Sequence, residues 1–147
     1  MVAEALALDE RRPLRRLRAQ LAARDAPRDA AGLRRVLEEV WEQFGTPDVR
    51  ATLPLYLEIM SASLMHPERY GPVMRDVITG WTDLAAGRFA GLGMPAERAR
   101  GEATLVVGAG FGLLFAAPAD GDRDRADAAF RLLLDRLEPG WRQTAQG

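Results

Sequence analysis

The stretch DAAGLRRVLEEVWEQFG, residues 29–45, decides the fold. Within it Leu33, Val36, Leu37, Val40, Trp41 and Phe44 recur at i, i+3, i+4, i+7, i+8 and i+11. Arg34, Arg35, Glu38, Glu39 and Glu42 fall between them. Apolar residues at that spacing form one stripe on a helix of 3.6 residues per turn and cannot alternate across a strand. Asp29 is placed to cap the helix N-terminus, and Gly45 follows its last apolar residue.

The same period extends in both directions. Upstream, Pro13 suits a first helical turn, and Leu14, Leu17 and Leu21 follow before Ala26-Pro27 ends the segment. Downstream, Thr46-Pro47 opens a helix to Met65 that is apolar on most sides and is expected to be central and buried. Pro54 either kinks it or marks its true start. A further helix runs from Pro67 to about Ala90, its regular part delayed by Gly71-Pro72, with Gly80 an unfavourable interior residue. Gly91, Gly93 and Pro95 break the chain. A fifth helix ends in the apolar run Ala103–Phe115, and Pro118 to Asp122 reads as a loop. A sixth covers about Asp122 to Leu137, and Glu138-Pro139-Gly140 is expected to stop it. Six helices with short connections predict one all-α domain over residues 13–138, with a loosely ordered segment 1–12 before it and a tail 139–147 after it.

Composition narrows the chemistry. The chain has 147 residues, 48% apolar and 28% charged, with a formal net charge of −1. It contains no cysteine, one histidine (His66), and only arginine among its 20 basic residues. Disulfides, thiolate metal sites, thiol nucleophiles and lysine Schiff bases are therefore closed to it. One histidine builds no histidine-rich metal site within a chain. No cofactor or metal is implied. The absence of a basic-then-apolar leader, and an apolar run shorter than a membrane span, lead to the expectation of a cytoplasmic protein with no membrane partner.

Several local patterns imitate known sites and fail on context. Gly108-Ala109-Gly110-Phe111-Gly112 has glycines but no preceding strand, and Leu113 stands where a dinucleotide fingerprint needs its third glycine. Gly108 and Gly112, continued by Gly101 and Thr104, instead form a face that another helix can approach closely. Asp120, Asp122 and Asp124 begin like a calcium loop, but Arg125 and Arg131 occupy its glycine and glutamate positions. They read as a polar loop and a cap for the last helix. Between residues 11 and 35 nine arginines face two aspartates, a formal +7. No helix-turn-helix pattern adjoins them, so they read as a solvated face and no direct DNA reading is expected. His66, with Ser63 and Ser61 nearby, lacks a nucleophile elbow and an orienting acid. It reads as a residue at a helix C-terminus, and no catalytic residue is assigned.

The large side chains say more. Trp41, Phe44, Tyr56, Ile59, Met60, Met65, Met74, Val77, Ile78 and Trp81 come from three successive helices. Aromatics and methionines converging with few charges make either core or an apolar pocket. The expected ligand contacts are Trp41, Phe44, Tyr56, Ile59, Met60, Met74, Ile78, Trp81, Thr104 and Phe111. Glu58, Ser61, Ser63 and Thr104 are the candidate polar groups.

The order of these features resembles the C-terminal domain of TetR-family regulators over residues 14–138. It is carried by His66-Pro67-Glu68-Arg69-Tyr70, the long helix with Trp81, Gly91-Leu92-Gly93-Met94-Pro95-Ala96-Glu97-Arg98-Ala99, the run Ala103–Phe115, and the helix Arg125–Leu137. The resemblance implies a six-helix effector-binding domain whose last two helices form a four-helix interface in a homodimer. Gly108, Gly112, Phe115, Phe130, Leu133, Leu134 and Leu137 would lie in that interface. The preceding helices would surround a small apolar ligand. The family's DNA-binding head would precede the first helix, and the sequence begins where that head would end. Alternatives are a partner for a full-length TetR-like protein, or an enzyme on a hydrophobic metabolite using Glu58, Tyr56 or His66.

Overall fold

The computed structural model describes residues 13–145 and contains no strand among them. Six helices of eleven residues or more follow one another, with a single-turn helix after the second. They are α1 (Pro13–Ala23), α2 (Ala30–Phe44), the short α3 (Pro47–Arg50), α4 (Leu53–Met65), α5 (Pro67–Gly91), α6 (Ala96–Asp120) and α7 (Arg123–Ala145). The expected loose segment 1–12 lies outside the described residues.

Two units divide the chain. One takes the residues through Arg24 and Gln43–Trp81; the other takes Asp25–Glu42 and the residues from Thr82 onward. The core of the first unit is Leu21, Val49, Leu53, Tyr56, Ile59, Met74, Val77 and Trp81. That of the second includes Leu33, Trp41, Phe89, Val106, Leu114, Phe130, Leu134 and Trp141, and α6 and α7 are its most extensively packed pair.

The helix boundaries follow local chemistry. Asp29 Oδ1 accepts the Gly32 N–H at 2.7 Å, the capping bond its position predicts. Thr46 is extended before Pro47, and its hydroxyl donates back to the Gln43 carbonyl at 2.8 Å. Of the two readings of Pro54, the later start holds. Ala51 and Thr52 interrupt the chain after α3, and Pro54 lies in the first turn of α4, where its missing N–H has no helical partner to lose. Thr52 is buried and donates its hydroxyl to the Val49 carbonyl at 2.6 Å. Gly93 (φ 91°) and Gly121 (φ 77°) take the left-handed turns that follow α5 and α6, a conformation that strains residues bearing a Cβ. Asp122 Oδ1 accepts the Arg125 N–H at 2.9 Å and caps α7.

Four expectations are corrected. Gly71-Pro72 delays nothing: α5 is helical from Pro67, and Pro72 and Glu68, whose carbonyl it frees, both face solvent. Pro118 belongs to the end of α6, because a proline φ near −65° is itself helical. The expected tail from 139 is helix, since α7 passes through Pro139-Gly140 to Ala145. An interior proline costs about 3 kcal/mol and a glycine about 1 kcal/mol against alanine. Trp141 offsets them: it is 0% exposed, meets Phe89 edge-on at 5.0 Å and donates its indole N–H to Glu102 at 3.1 Å. Burying a large side chain contributes about 1.5–3 kcal/mol, and an aromatic pair adds about 1 kcal/mol. Lastly, α4 is not buried all round: Leu53, Tyr56 and Ile59 turn inward, while Leu57, Leu64 and Met65 are exposed.

Candidate functional site

Seven of the ten expected ligand contacts fall in the first unit. Phe44 and Trp81 meet edge to face with ring centroids 5.3 Å apart. Tyr56, Ile59 and Met74 are buried and Met60 is half-buried, while Ile78 is exposed at 43%. These residues come from the end of α2, from α4 and from α5, on the inward faces that the helical period assigns to them. Ile78 alone stands outside.

The other three lie in the second unit and serve other ends. Trp41 stacks on Phe130 with centroids 4.5 Å apart and planes 10° from parallel. Its indole N–H donates to Asp127 Oδ1 at 2.7 Å, and the Arg123 guanidinium lies 4.8 Å from its ring centroid. A ring stacked on one face, bonded at its nitrogen and approached by a cation is a finished structural contact. Phe111 is half-buried and stacks with Phe115 at 6.1 Å. Thr104 is exposed and donates its hydroxyl to the Arg100 carbonyl at 2.8 Å.

The polar groups expected beside the ligand turn elsewhere. Glu58 and Ser61 are exposed, and Ser63 donates to the Met60 carbonyl at 2.7 Å. His66 is exposed at the end of α4, where its backbone N–H bonds the Ala62 carbonyl at 2.7 Å. Its carbonyl in turn accepts the N–H groups of Arg69 and Tyr70, starting α5. No serine–histidine pair forms. A groove of about 440 Å³ opens along residues 65–70 at this corner, with Arg69 over the Tyr70 ring at 5.3 Å.

The residues expected at a dimer face divide cleanly. Phe130 and Leu134 are buried in the second unit, Phe130 against Trp41, so neither belongs to a free surface. Phe115, Leu133 and Leu137 are half-buried; Gly108 and Gly112 are exposed. Among the described residues no other helix uses the glycines, because a Cβ placed at Gly101, Gly108, Gly110 or Gly112 meets nothing within 4 Å. Gly101, Thr104, Leu105, Gly108 and Gly112 therefore form a bare stripe along α6, with Leu105 49% exposed. The helix is also longer than its apolar run. Its 25 residues are long and apolar enough to cross a membrane by length and composition alone, and only 22% of the most apolar window is buried.

Two charged groups escape sequence reasoning. Arg34, read as part of a solvated face, donates Nε to Glu38 at 2.9 Å and Nη1 to Asp135 and Glu138 at 2.7 and 3.0 Å. These bonds, Glu38 first, raise its pKa above the ordinary arginine value. Glu138, placed at a helix stop, is buried and also accepts from Arg142 at 2.7 Å. Burial works against its charge, but Arg34 and Arg142 outweigh burial and hold the carboxyl below its ordinary value. Only the i, i+4 spacings Arg34–Glu38 and Glu138–Arg142 were visible as signals. The aspartates that imitate a calcium loop are occupied locally: Asp120 accepts the Asp122 N–H at 2.9 Å and pairs with Arg125.

No family model, curated protein or solved structure matches the chain.

Proposed function

We propose that the chain is a dimerising, ligand-binding module of the kind found in the C-terminal half of TetR-family regulators, taking a small and largely apolar molecule. The observation that carries the reading is the gathering of Phe44, Tyr56, Ile59, Met60, Met74 and Trp81 in one unit, drawn from α2, α4 and α5. Aromatic rings and thioethers with few charges among them favour a ligand recognised by shape and apolar area. The polar candidates face away, which favours binding over turnover. Dimerisation enters through α6. A 25-residue helix is about 37 Å long, and its bare glycine-bearing stripe admits a close helix partner. A second copy of the chain is the proposed occupant, so the ligand and the dimer are separate parts of the reading.

Native mass spectrometry of the purified chain, alone and after incubation with hydrophobic extract, tests both parts. A dimer carrying a small adduct of unchanged mass supports the module. A monomer that retains nothing refutes the dimer and the pocket together, and an adduct converted to a new mass replaces the binder with an enzyme.

A further inference from the structure

The end of α7 holds its form against its own sequence. Pro139 has no N–H to give the Asp135 carbonyl, so the helix lacks one rung there, and Gly140 follows at once. Beyond that gap the backbone rungs resume to Ala145, and the side-chain ties run to α5 and α6 or back to Glu138 and Gly140. The Trp141 ring is fully buried against Phe89 of α5, and its N–H reaches Glu102 of α6. Arg98 of α6 donates to the Thr144 hydroxyl at 2.8 Å and to the Gly140 carbonyl at 3.2 Å. Thr144 donates in turn to that same carbonyl at 3.1 Å. Arg142 bonds Glu138, the last residue before the proline.

A segment joined to its helix through a weakened rung, and docked by one large side chain with a few polar ties, has the makings of a separate opening unit. We infer that residues 139–145 form a latch that opens and closes as one body while the rest of the second unit stays folded, with the Trp141 indole as its lock. Opening uncovers the Phe89 ring and the Glu102 carboxylate, which are an apolar wall and one acceptor. The latch is distinct from simple fraying. A frayed end loses protection residue by residue, whereas a latch gives its amides one shared opening constant.

Hydrogen exchange followed by NMR on the full chain at neutral pH tests this. The amides of residues 141–145 are expected to share one protection factor, at least tenfold below that of residues 126–137 in the same helix. Pro139→Ala restores the missing rung, and it should slow residues 141–145 at least tenfold while leaving the others unchanged. Trp141→Ala should strip protection from residues 141–145 alone. A graded fall in protection, exchange in step with residues 126–137, or equal slowing of the whole helix by Pro139→Ala overturns the latch. So does a Trp141→Ala chain that unfolds as a whole, because an open latch must leave the remainder folded.

Discussion

Replacing Arg34 with methionine tests the electrostatics of the second unit most directly. The Arg34 side chain is 21% exposed and its guanidinium bonds three carboxylates, one of which, Glu138, has a side chain only 9% exposed. Methionine keeps much of the stem and removes the charge. Glu138 then retains Arg142, whose side chain is 62% exposed. Breaking a well-buried pair costs about 3–5 kcal/mol. The residual Arg142 bond and the partial exposure of Arg34 reduce that to about 2–3 kcal/mol. For a chain of this length the loss lowers Tm by about 5–10 °C. Urea unfolding at pH 7, followed by circular dichroism, measures it. The double variant Arg34→Met with Glu138→Leu supplies the internal control, since it removes the buried charge along with its partner. It should recover most of the single loss. A single-variant loss below about 0.5 kcal/mol, the worth of a surface pair, refutes the reasoning. A double variant no better than the single refutes it equally.

The same network sets an acid limit. Because the carboxyl of Glu138 sits below its ordinary value of 4.5 in the folded chain, its contribution is complete above that value and is lost as pH falls through the lower folded value. Midpoints of urea unfolding should therefore drop as pH falls below 4.5 in the native chain, and drop less in Glu138→Gln. At Gly108, where a Cβ meets nothing, alanine should stabilise the monomer by up to about 1 kcal/mol through helix propensity. Gly108→Glu should abolish the proposed dimer in sedimentation while leaving helicity intact; a persistent dimer places the interface elsewhere. At Gly80 a Cβ would meet the far end of the flexible Arg18 side chain, which must shift, so Gly80→Ala should gain less than the roughly 1 kcal/mol that helix propensity offers. In an Arg18→Ala background the same change should gain the full amount, and equal gains in thermal melts would show that Arg18 is not the obstacle.

Helix periodicity made α2 and most of α7 legible, because both separate apolar and polar residues at a 3.6-residue spacing. The caps at Asp29 and Asp122 were equally readable, since each places a short carboxylate before the first turn. Prolines misled the reading in one consistent way. Pro72, Pro118 and Pro139 all look like stops, yet each lies within a helix. A proline costs one rung, and whether a helix continues past it depends on what the next turn buries, which local sequence does not record. For Pro139 the deciding partner, Phe89, is 52 residues from Trp141 along the chain. The candidate site was partly legible for the same reason. Phe44 and Trp81 could be assigned to one cluster because α2 and α5 carry helical stripes that place both on an inward face. Trp41 could not be told from them, because its partner Phe130 lies on a helix far along the chain and the choice between the two is made by tertiary packing. The outward turn of Leu57, Leu64 and Met65 was hidden by a helix that is apolar on every side and so gives no direction.

The three tryptophans make the chain a natural optical instrument. Trp81 reports from the first unit, with Phe44 at its edge. Trp41 and Trp141 report from the second in two different electrical settings. One lies under a guanidinium with a carboxylate at its nitrogen; the other is sealed from water with its nitrogen on Glu102. Both nitrogens donate to a carboxylate, so the cation over the ring is what should displace the emission of Trp41 relative to that of Trp141. Chains keeping one indole at a time, the others replaced by phenylalanine, thus emit at separate wavelengths. Each unit, and the end of α7 by itself, becomes observable through a single-tryptophan chain of its own.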